Sequence, residues 1–303
     1  MKNIVQDLKE GPTLCIYHGN CIDGYGAAWS VYDTARRIGA LDTTEFFEGH
    51  YGQPLPDVTG KHVLIVDFSY RADVLRSMAE KAKSVRVIDH HVTALPEITA
   101  SGVPFMYDVQ HSGAALAWAA LNDGFDTMPK LLAHIEDRDL WRYQLPGTKE
   151  IHLALSNEDK TFAKWSEWMH ATDLEALKAI GGHMTRYHDS LVQLFVDSSD
   201  HVIVVDQNQK EVYRVPVANV PGGMFASDVG ARLCVNYAFA MTYFDNKGQR
   251  LWSLRSAKDG GLDVSQIAKR FGGGGHKNAA GFVQTAENEA WYDSFARVLR
   301  LPT

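Results

Sequence analysis

Eight ionisable residues fall into four clusters along the chain: His18 with Asp23, Asp67 alone, the triplet Asp89-His90-His91, and Asp137 with Asp139. Carboxylate and imidazole are the donors that hard divalent cations such as Mn²⁺ and Mg²⁺ accept, with water completing the shell. Two such ions about 3.5–4 Å apart need a carboxylate that bridges them and further ligands supplied by several strands. Asp67, alone at the end of a wholly apolar run, is the natural bridge. Taken singly, an Asp after a strand serves as readily to cap the next helix. Four clusters at strand ends argue for one shared metal centre.

The elements that must position these residues are legible as alternating apolar runs and amphipathic stretches. TLCIYH (13–18) reads as a strand, followed by a helix from about Tyr25 to Arg37. HVLIVDF (62–68) reads as a second strand, RADVLRSMAEKA (71–82) as a helix and VRVID (85–89) as a third strand. This alternation predicts a doubly wound, mostly parallel α/β sheet, in which ligands bind beyond the carboxyl ends of the strands. His18, Asp67 and Asp89 each stand at that end of a separate run. From about Thr161 to Val196 the pattern is helical, with a break expected at Gly181-Gly182, and reads as the tail of the first domain plus a helical connector. After Ser198-Ser199 come VIVVD (202–206), VYRVPVANV (212–220), FAMTYF (239–244) and LWSLRS (251–256), with helices at about Ser227–Asn236 and Val264–Arg270. That is a smaller α+β domain. The expected boundaries are 1–190 and 200–303.

Composition narrows the function classes. At 303 residues, 45% hydrophobic and 22% charged, the chain has ordinary globular usage and enough length for two cores. No apolar run nears the roughly 18 residues of a membrane helix, and the N-terminal MKNIVQDLKEGP lacks the apolar core of a secretory signal. The three cysteines, Cys15, Cys21 and Cys234, make a sparse, odd set that fits a reducing cytoplasm better than a disulfide scaffold. A net charge of −7 argues against a coat for long duplex nucleic acid, so an anionic ligand must be held by a local site or by metal ions.

One stretch reverses that balance. Between Arg250 and Lys277 stand six Lys/Arg (Arg250, Arg255, Lys258, Lys269, Arg270, Lys277) against two Asp (Asp259, Asp263). The run GGGGH (272–276) adds backbone N–H groups that an anion can approach closely, since no Cβ intervenes. Arg255 offers a planar fork for bidentate phosphate contact, and His276 can stack on or hydrogen-bond a nucleotide. Ser112 opens the helix of HSGAAL (111–116), either as an N-cap or at a phosphate-binding helix terminus. Trp165, Trp168 and Tyr187 read as core rather than as platforms for bases.

The segments HGNCIDG (18–24), the Asp67 of LIVDF, VIDHH (87–91) and IEDRDLW (135–141) resemble the first four motifs of the DHH phosphoesterase superfamily. LRSAKDGGLDVSQIAKRFGGGGHKNAAGF (254–282) resembles the DHH-associated C-terminal domain. The resemblance implies an active site in a cleft between the two domains, with two Mn²⁺-preferring sites and Mg²⁺, Fe²⁺ or Zn²⁺ as alternatives. It implies that His18 binds one metal, Asp23 the other, that Asp67 bridges them, and that His90 and Asp137 complete the second site, with Asp139 the alternative to Asp137. It further implies that Asp89 orients the neighbouring histidines and that His91 lies near the scissile phosphate. Arg255, Ser256, Gly273, Gly274, Gly275, His276 and Ser112 become substrate-binding candidates. The first motif departs from the family's: Cys21 stands where an Asp is usual. As a small apolar filler it leaves the metals hard; as a ligand, its softer thiolate turns preference towards Zn²⁺ or Fe²⁺.

The expected activity is that of a cytoplasmic two-metal phosphodiesterase cleaving linear dinucleotides such as pGpG or pApA, and very short RNA, to mononucleotides. A 3′-phosphoadenosine phosphate phosphatase and a cyclic dinucleotide phosphodiesterase are the enzymatic alternatives. A nucleotide-binding sensor that has lost turnover is the non-enzymatic one. A membrane partner is not expected, and a homodimer is compatible with the reading.

Overall fold

Strands covered on both faces must be apolar at consecutive positions, and the segments 14–16 and 63–66 obey this rule. The computed structural model describes residues 4–50, 53–206, 211–222, 225–284, 292–293 and 298–300, and it divides into two units, Met1–Thr185 and Arg186–Thr303. The first unit runs α1 (Ile4–Glu10), β1 (Thr13–His18), α2 (Ile22–Arg37), β2 (Thr44–Gly49), β3 (His62–Val66), α3 (Ala72–Lys81), β4 (Ser84–Asp89), α4 (Leu95–Ser101), β5 (Phe105–Tyr107), α5 (Gly113–Leu121), α6 (Lys130–Asp139), α7 (Thr148–Ser156) and α8 (Phe162–Met169). α9 (Glu175–Asp197) crosses the division.

The five strands form one parallel sheet in the order β2-β1-β3-β4-β5. Successive residues serve opposite cores, as the period of two requires. Cys15, Leu64, Val66 and Ile88 face one core, with residues of α2, α5 and α6. Leu14, Ile16, Val63, Ile65 and Val87 face the other, with residues of α3 and α4. The chain winds outward from β1 to β2 and, separately, from β3 through β4 to β5. β1 and β3 are therefore neighbours from which the windings diverge, and ligands of open α/β sheets bind at such a switch point. His18 ends β1, and Asp67 directly follows β3.

The second unit holds β6 (Asp200–Asp206), β7 (Glu211–Asn219), α10 (Ala226–Leu233), β8 (Ala240–Asn246), β9 (Gln249–Arg255), α11 (Val264–Arg270), β10 (Gly274–His276), β11 (Ala279–Gln284), β12 (Tyr292–Asp293) and β13 (Val298–Arg300). These strands make a mixed sheet ordered β10-β11-β9-β8-β7-β6-β13-β12. Trp252, Leu254, Phe282 and Ile267 of α11 pack in one cluster; Ala218, Ala240, Val229 and Leu233 of α10 pack in a second. The α/β class and the α+β character of the second sheet follow the sequence pattern. Among the described residues no helix is long and apolar enough to cross a membrane.

Two local expectations are corrected. Gly181-Gly182 does not break the helix, for α9 is continuous through it. A Cβ on Gly181 would lie 1.7 Å from the carbonyl oxygen of Glu150, so this glycine lets α9 approach α7. Tyr187, read as core, is 69% exposed on α9, whereas Trp165 is fully buried; the last three residues of GGGGH form β10 against β11.

Candidate metal centre

The centre is assembled where helix ends meet the carboxyl edge of the parallel sheet. α2 starts at Ile22, immediately after Cys21, and so brings Asp23 into its first turn. This start brings α2 against the end of β1, and Gly24 permits it: a Cβ there would fall 2.3 Å from the carbonyl oxygen of His18. Asp23, almost wholly buried, accepts hydrogen bonds from Gly113 N (2.7 Å) and Ala114 N (3.2 Å), the first amides of α5. The positive end of that helix dipole favours a carboxylate. Ser112 caps the same helix by accepting from Ala115 N, and it is fully buried. Ser112 therefore serves as the N-cap, the first of the two readings its sequence allowed.

Asp67 is the hub. It is 1% exposed and sits at φ +54°, a left-handed conformation that ends β3 and costs a non-glycine residue about 1–3 kcal/mol. Its Oδ2 is 3.5 Å from Nδ1 of His18, and its Oδ1 is 3.1 Å from Nε2 of His90. Neither oxygen makes a hydrogen bond of ordinary geometry, and the same is true of Oδ2 of Asp89 and Oδ2 of Asp139. Buried carboxylate oxygens left in this state are costly unless a cation meets them. Two groups of donors close enough to share an ion flank Asp67: His18, Cys21 and Asp67 itself, and Asp23, His90 and Asp139; a third, Asp67, Asp89 and His91, overlaps the first at Asp67, the atoms of each group lying within 4.8 Å of one another. Bonds of about 2.0–2.3 Å to a common ion place ligand atoms roughly 3–4 Å apart, so the residues fit divalent metals.

The titration behaviour agrees. Burial opposes a charge on His90, yet its contact with the Asp67 carboxylate and the charges of Asp139, Asp67 and Asp23 push its pKa up to about 11. Burial works against ionised Asp67 as well, but His18 and His90 hold its carboxyl well below the usual range. Asp23 goes the other way, raised by burial and by the charges of Asp67 and Asp139. Without metal, the cluster retains protons where cations would sit.

Asp89 engages both of the histidines that follow it. Its Oδ1 accepts from the backbone N–H of His90 (2.7 Å) and His91 (3.1 Å) and pairs with Nδ1 of His91 at 2.7 Å. That bond commits Nδ1 and orients the ring, which lies edge-on to His18 at 5.6 Å between centroids.

In the fourth cluster the two aspartates have distinct tasks. Asp139, not Asp137, joins the centre, with Oδ2 3.6 Å from Nε2 of His90. Asp137 is occupied by Gln144 N (2.8 Å), Leu145 N (3.0 Å) and Thr148 Oγ1 (2.6 Å). Those bonds staple a turn in which Trp141 and Tyr143 both take left-handed φ, +55° and +50°. Both aspartates stand on α6 rather than at a strand end, and Asp137, the expected ligand, lies outside the donor groups while its alternative Asp139 lies in one. Two residues along one helix separate reaching the cluster from capping the following loop.

Two contributors escaped the sequence reading. Gly113 is needed because a Cβ there would sit 2.4 Å from Cβ and Oδ1 of Asp67. Buried Glu136 accepts from Ser112 N (3.2 Å) and from Arg142 Nη1 (3.0 Å), tying the α5 terminus to the turn after Asp139. A glycine following a helix N-cap was the available signal for the first. Glu136 gave none.

In the second unit, Arg255 ends β9 opposite Ala240 and Ala279, and its Nη2 donates to Oγ of Ser227. Gly230 makes room for the arginine stem, since a Cβ there would lie 2.7 Å from Cγ of Arg255. His276 ends β10 opposite Ala279. Ser256 is buried, donating to the Leu262 carbonyl and accepting from Nδ2 of Asn278, so it holds the 256–262 loop. Gly273 and Gly275 are required by strand packing: Cβ atoms would meet the Gly281 carbonyl at 2.0 Å and the Ala279 carbonyl at 2.5 Å. Gly274 pairs with Gly281 within the same hairpin.

No family model matches the chain. An uncharacterized protein of Acanthamoeba polyphaga mimivirus is 29% identical over 294 residues, covering 91% of this chain and 68% of that protein. An exopolyphosphatase-related protein from Bacteroides fragilis has a similar structure, with a TM-score of 0.54 at 12% identity over 93% of this chain and 89% of its own. RecJ from Thermus thermophilus, crystallised with Mn²⁺, gives a TM-score of 0.50 at 15% identity over 98% of this chain. The chain spans only 55% of that RecJ structure, about half its length.

Proposed function

From the DHH phosphoesterase fold of this chain and the acidic centre built on it, we propose a metal-dependent phosphodiesterase that cleaves linear dinucleotides and very short RNA to mononucleotides. The observation that carries the reading is the pair of donor groups around Asp67 at the β1/β3 switch point, with carboxylate oxygens that no protein donor meets in ordinary hydrogen-bond geometry. His18, Asp67, Asp23, His90 and Asp139 would hold divalent ions. When bound, such ions lower the pKa of a water to give hydroxide at neutral pH and offset charge on the phosphoryl oxygens.

The protein's own groups do the rest. Asp67 turns one oxygen towards His18 and the other towards His90, so displacement of this one side chain disturbs both positions. Asp23 is fixed by the α5 amides, and Asp89 fixes the His91 ring, which is assigned to the scissile phosphate. Arg255 and His276, in the one basic stretch of an acidic chain, are assigned to recognition of a terminal phosphate and base. The lack of any longer basic stripe in the sequence favours short substrates.

The test is product analysis on purified protein with Mn²⁺ and a panel of pGpG, pApA, a five-nucleotide RNA, 3′-phosphoadenosine phosphate and cyclic di-GMP. Mononucleotides from the linear dinucleotides, at higher kcat/KM than from the rest, support the proposal. Turnover confined to 3′-phosphoadenosine phosphate or cyclic di-GMP replaces the substrate assignment. Tight nucleotide binding with no turnover under any divalent ion favours the sensor.

A further inference from the structure

We infer that Cys21 is a metal ligand and that the centre is chemically two-sided, with His18, Cys21 and Asp67 selecting a thiophilic divalent ion and Asp23, His90 and Asp139 a harder one. This rests on the metal-centre part of the proposed function and is independent of the substrate.

The argument starts from where the sulfur is. A cysteine acting as an apolar filler lies among apolar atoms, as Cys15 does in the sheet core. The thiol of Cys21 lies instead within 4.8 Å of an imidazole nitrogen of His18 and a carboxylate oxygen of Asp67. It is also a poor cap. Cys21 occupies the N-cap position of α2 with extended backbone (φ −117°, ψ 135°), but its side chain makes no capping bond of ordinary geometry. Ser, Asp or Asn there would supply an acceptor for the first turn.

The second observation is Asp67 itself: 1% exposed, aimed between the two groups, and without a hydrogen bond of ordinary geometry to either oxygen. The His18 side therefore presents one nitrogen, one sulfur and one oxygen. That donor set suits Zn²⁺, Fe²⁺ or Co²⁺, since thiolate is too soft to favour Mn²⁺ or Mg²⁺. The other side offers one imidazole and carboxylate oxygens only, the set of Mn²⁺ and Mg²⁺. On binding, the S–H bond breaks, an S–metal bond forms, and the proton leaves to solvent.

The probe is Co²⁺, whose bond to a thiolate gives a near-ultraviolet charge-transfer band that oxygen and nitrogen ligands do not. Chelator-stripped protein is titrated with Co²⁺, alongside Cys21→Ser and Cys21→Asp variants whose folding is checked by circular dichroism. The band is expected in the wild type and absent from both variants, which should still take up Co²⁺ through the remaining ligands. In competition between Zn²⁺ and Mn²⁺, read by elemental analysis, Cys21→Asp should shift the bound ratio towards Mn²⁺ by at least the ~10–100-fold that loss of an outer-shell partner costs. Co²⁺ bound without the band, or a band surviving in Cys21→Ser, overturns the inference and leaves the metal centre standing. A folded wild type that binds no Co²⁺, Zn²⁺ or Mn²⁺ overturns both.

Discussion

Gly113 and Asp67 approach so closely that a Cβ on the glycine would lie 2.4 Å from Cβ of the aspartate. The first residue of α5 and the hub of the acidic centre thus exclude any side chain between them. Gly113→Ala should push Asp67 off its position, destabilising the fold by about 1–3 kcal/mol and weakening metal binding together. Denaturation midpoints and metal titration check this. A variant with wild-type metal affinity would show that Asp67 has slack the geometry denies.

The two aspartates of the fourth cluster should separate by readout. Asp139→Asn is expected to lose metal affinity with little change in melting temperature. Asp137→Asn should do the reverse, because it leaves the 144–148 donors facing a weaker acceptor; bonds to a charged group are worth roughly 1.5–3 kcal/mol each. Equal metal loss in both variants would contradict the division seen here.

Asp67→Ala should abolish hydrolysis, since it removes the carboxylate that faces both His18 and His90. Asp89→Ala removes the carboxylate that orients His91 and should cost on the order of 10–100-fold. Initial rates over a range of Mn²⁺ concentrations distinguish the two: only the Asp89 variant should recover with added metal.

Metal binding should release protons. In the metal-free protein His90 stays protonated until the pH nears 11, far above its ordinary value, so at neutral pH an arriving ion must displace that proton. Affinity should therefore rise with pH through the range of roughly 6–8, by about tenfold per unit for each proton released. The sign for stability is opposite: the raised pKa stabilises the metal-free fold fully below the unfolded value of about 6.5, and this contribution fades as pH climbs towards 11. Calorimetry in buffers of different ionisation enthalpy counts the protons; a count of zero would show His90 is not a ligand.

Arg255→Lys keeps the charge but loses the planar fork that reaches Ser227. If this arginine reads a terminal phosphate, kcat/KM for a 5′-phosphorylated dinucleotide should fall by about 10–150-fold while metal content is unchanged. Removing the substrate's 5′ phosphate should then hurt the wild type more than the variant. Equal losses would take Arg255 out of substrate recognition.

The sequence by itself determined the parallel sheet and the identity of most of the donors. Apolar runs at 13–18, 62–66 and 84–89 leave a strand no other place than the interior, and a polar residue that ends such a run must stand at the sheet edge. His18, Asp67 and Asp89 were legible for that reason. Short edge strands such as β2, built from TEFFEG, carry no comparable signal because only part of each is covered. What only the tertiary structure decided depends on direction rather than on residue type. Asp137 and Asp139 differ by two positions, a rotation of about 200° around a helix of roughly 3.6 residues per turn, which sends one carboxylate to His90 and the other to the following turn. Ser112, Ser256 and the glycines of 273–275 look like phosphate ligands in the sequence, and only the folded chain shows what else they do: cap a helix, hold a loop and pack a hairpin. Cys21 could be weighed as filler or ligand from its type alone, but its distance to His18 and Asp67 exists only once α2 is folded against the end of β1.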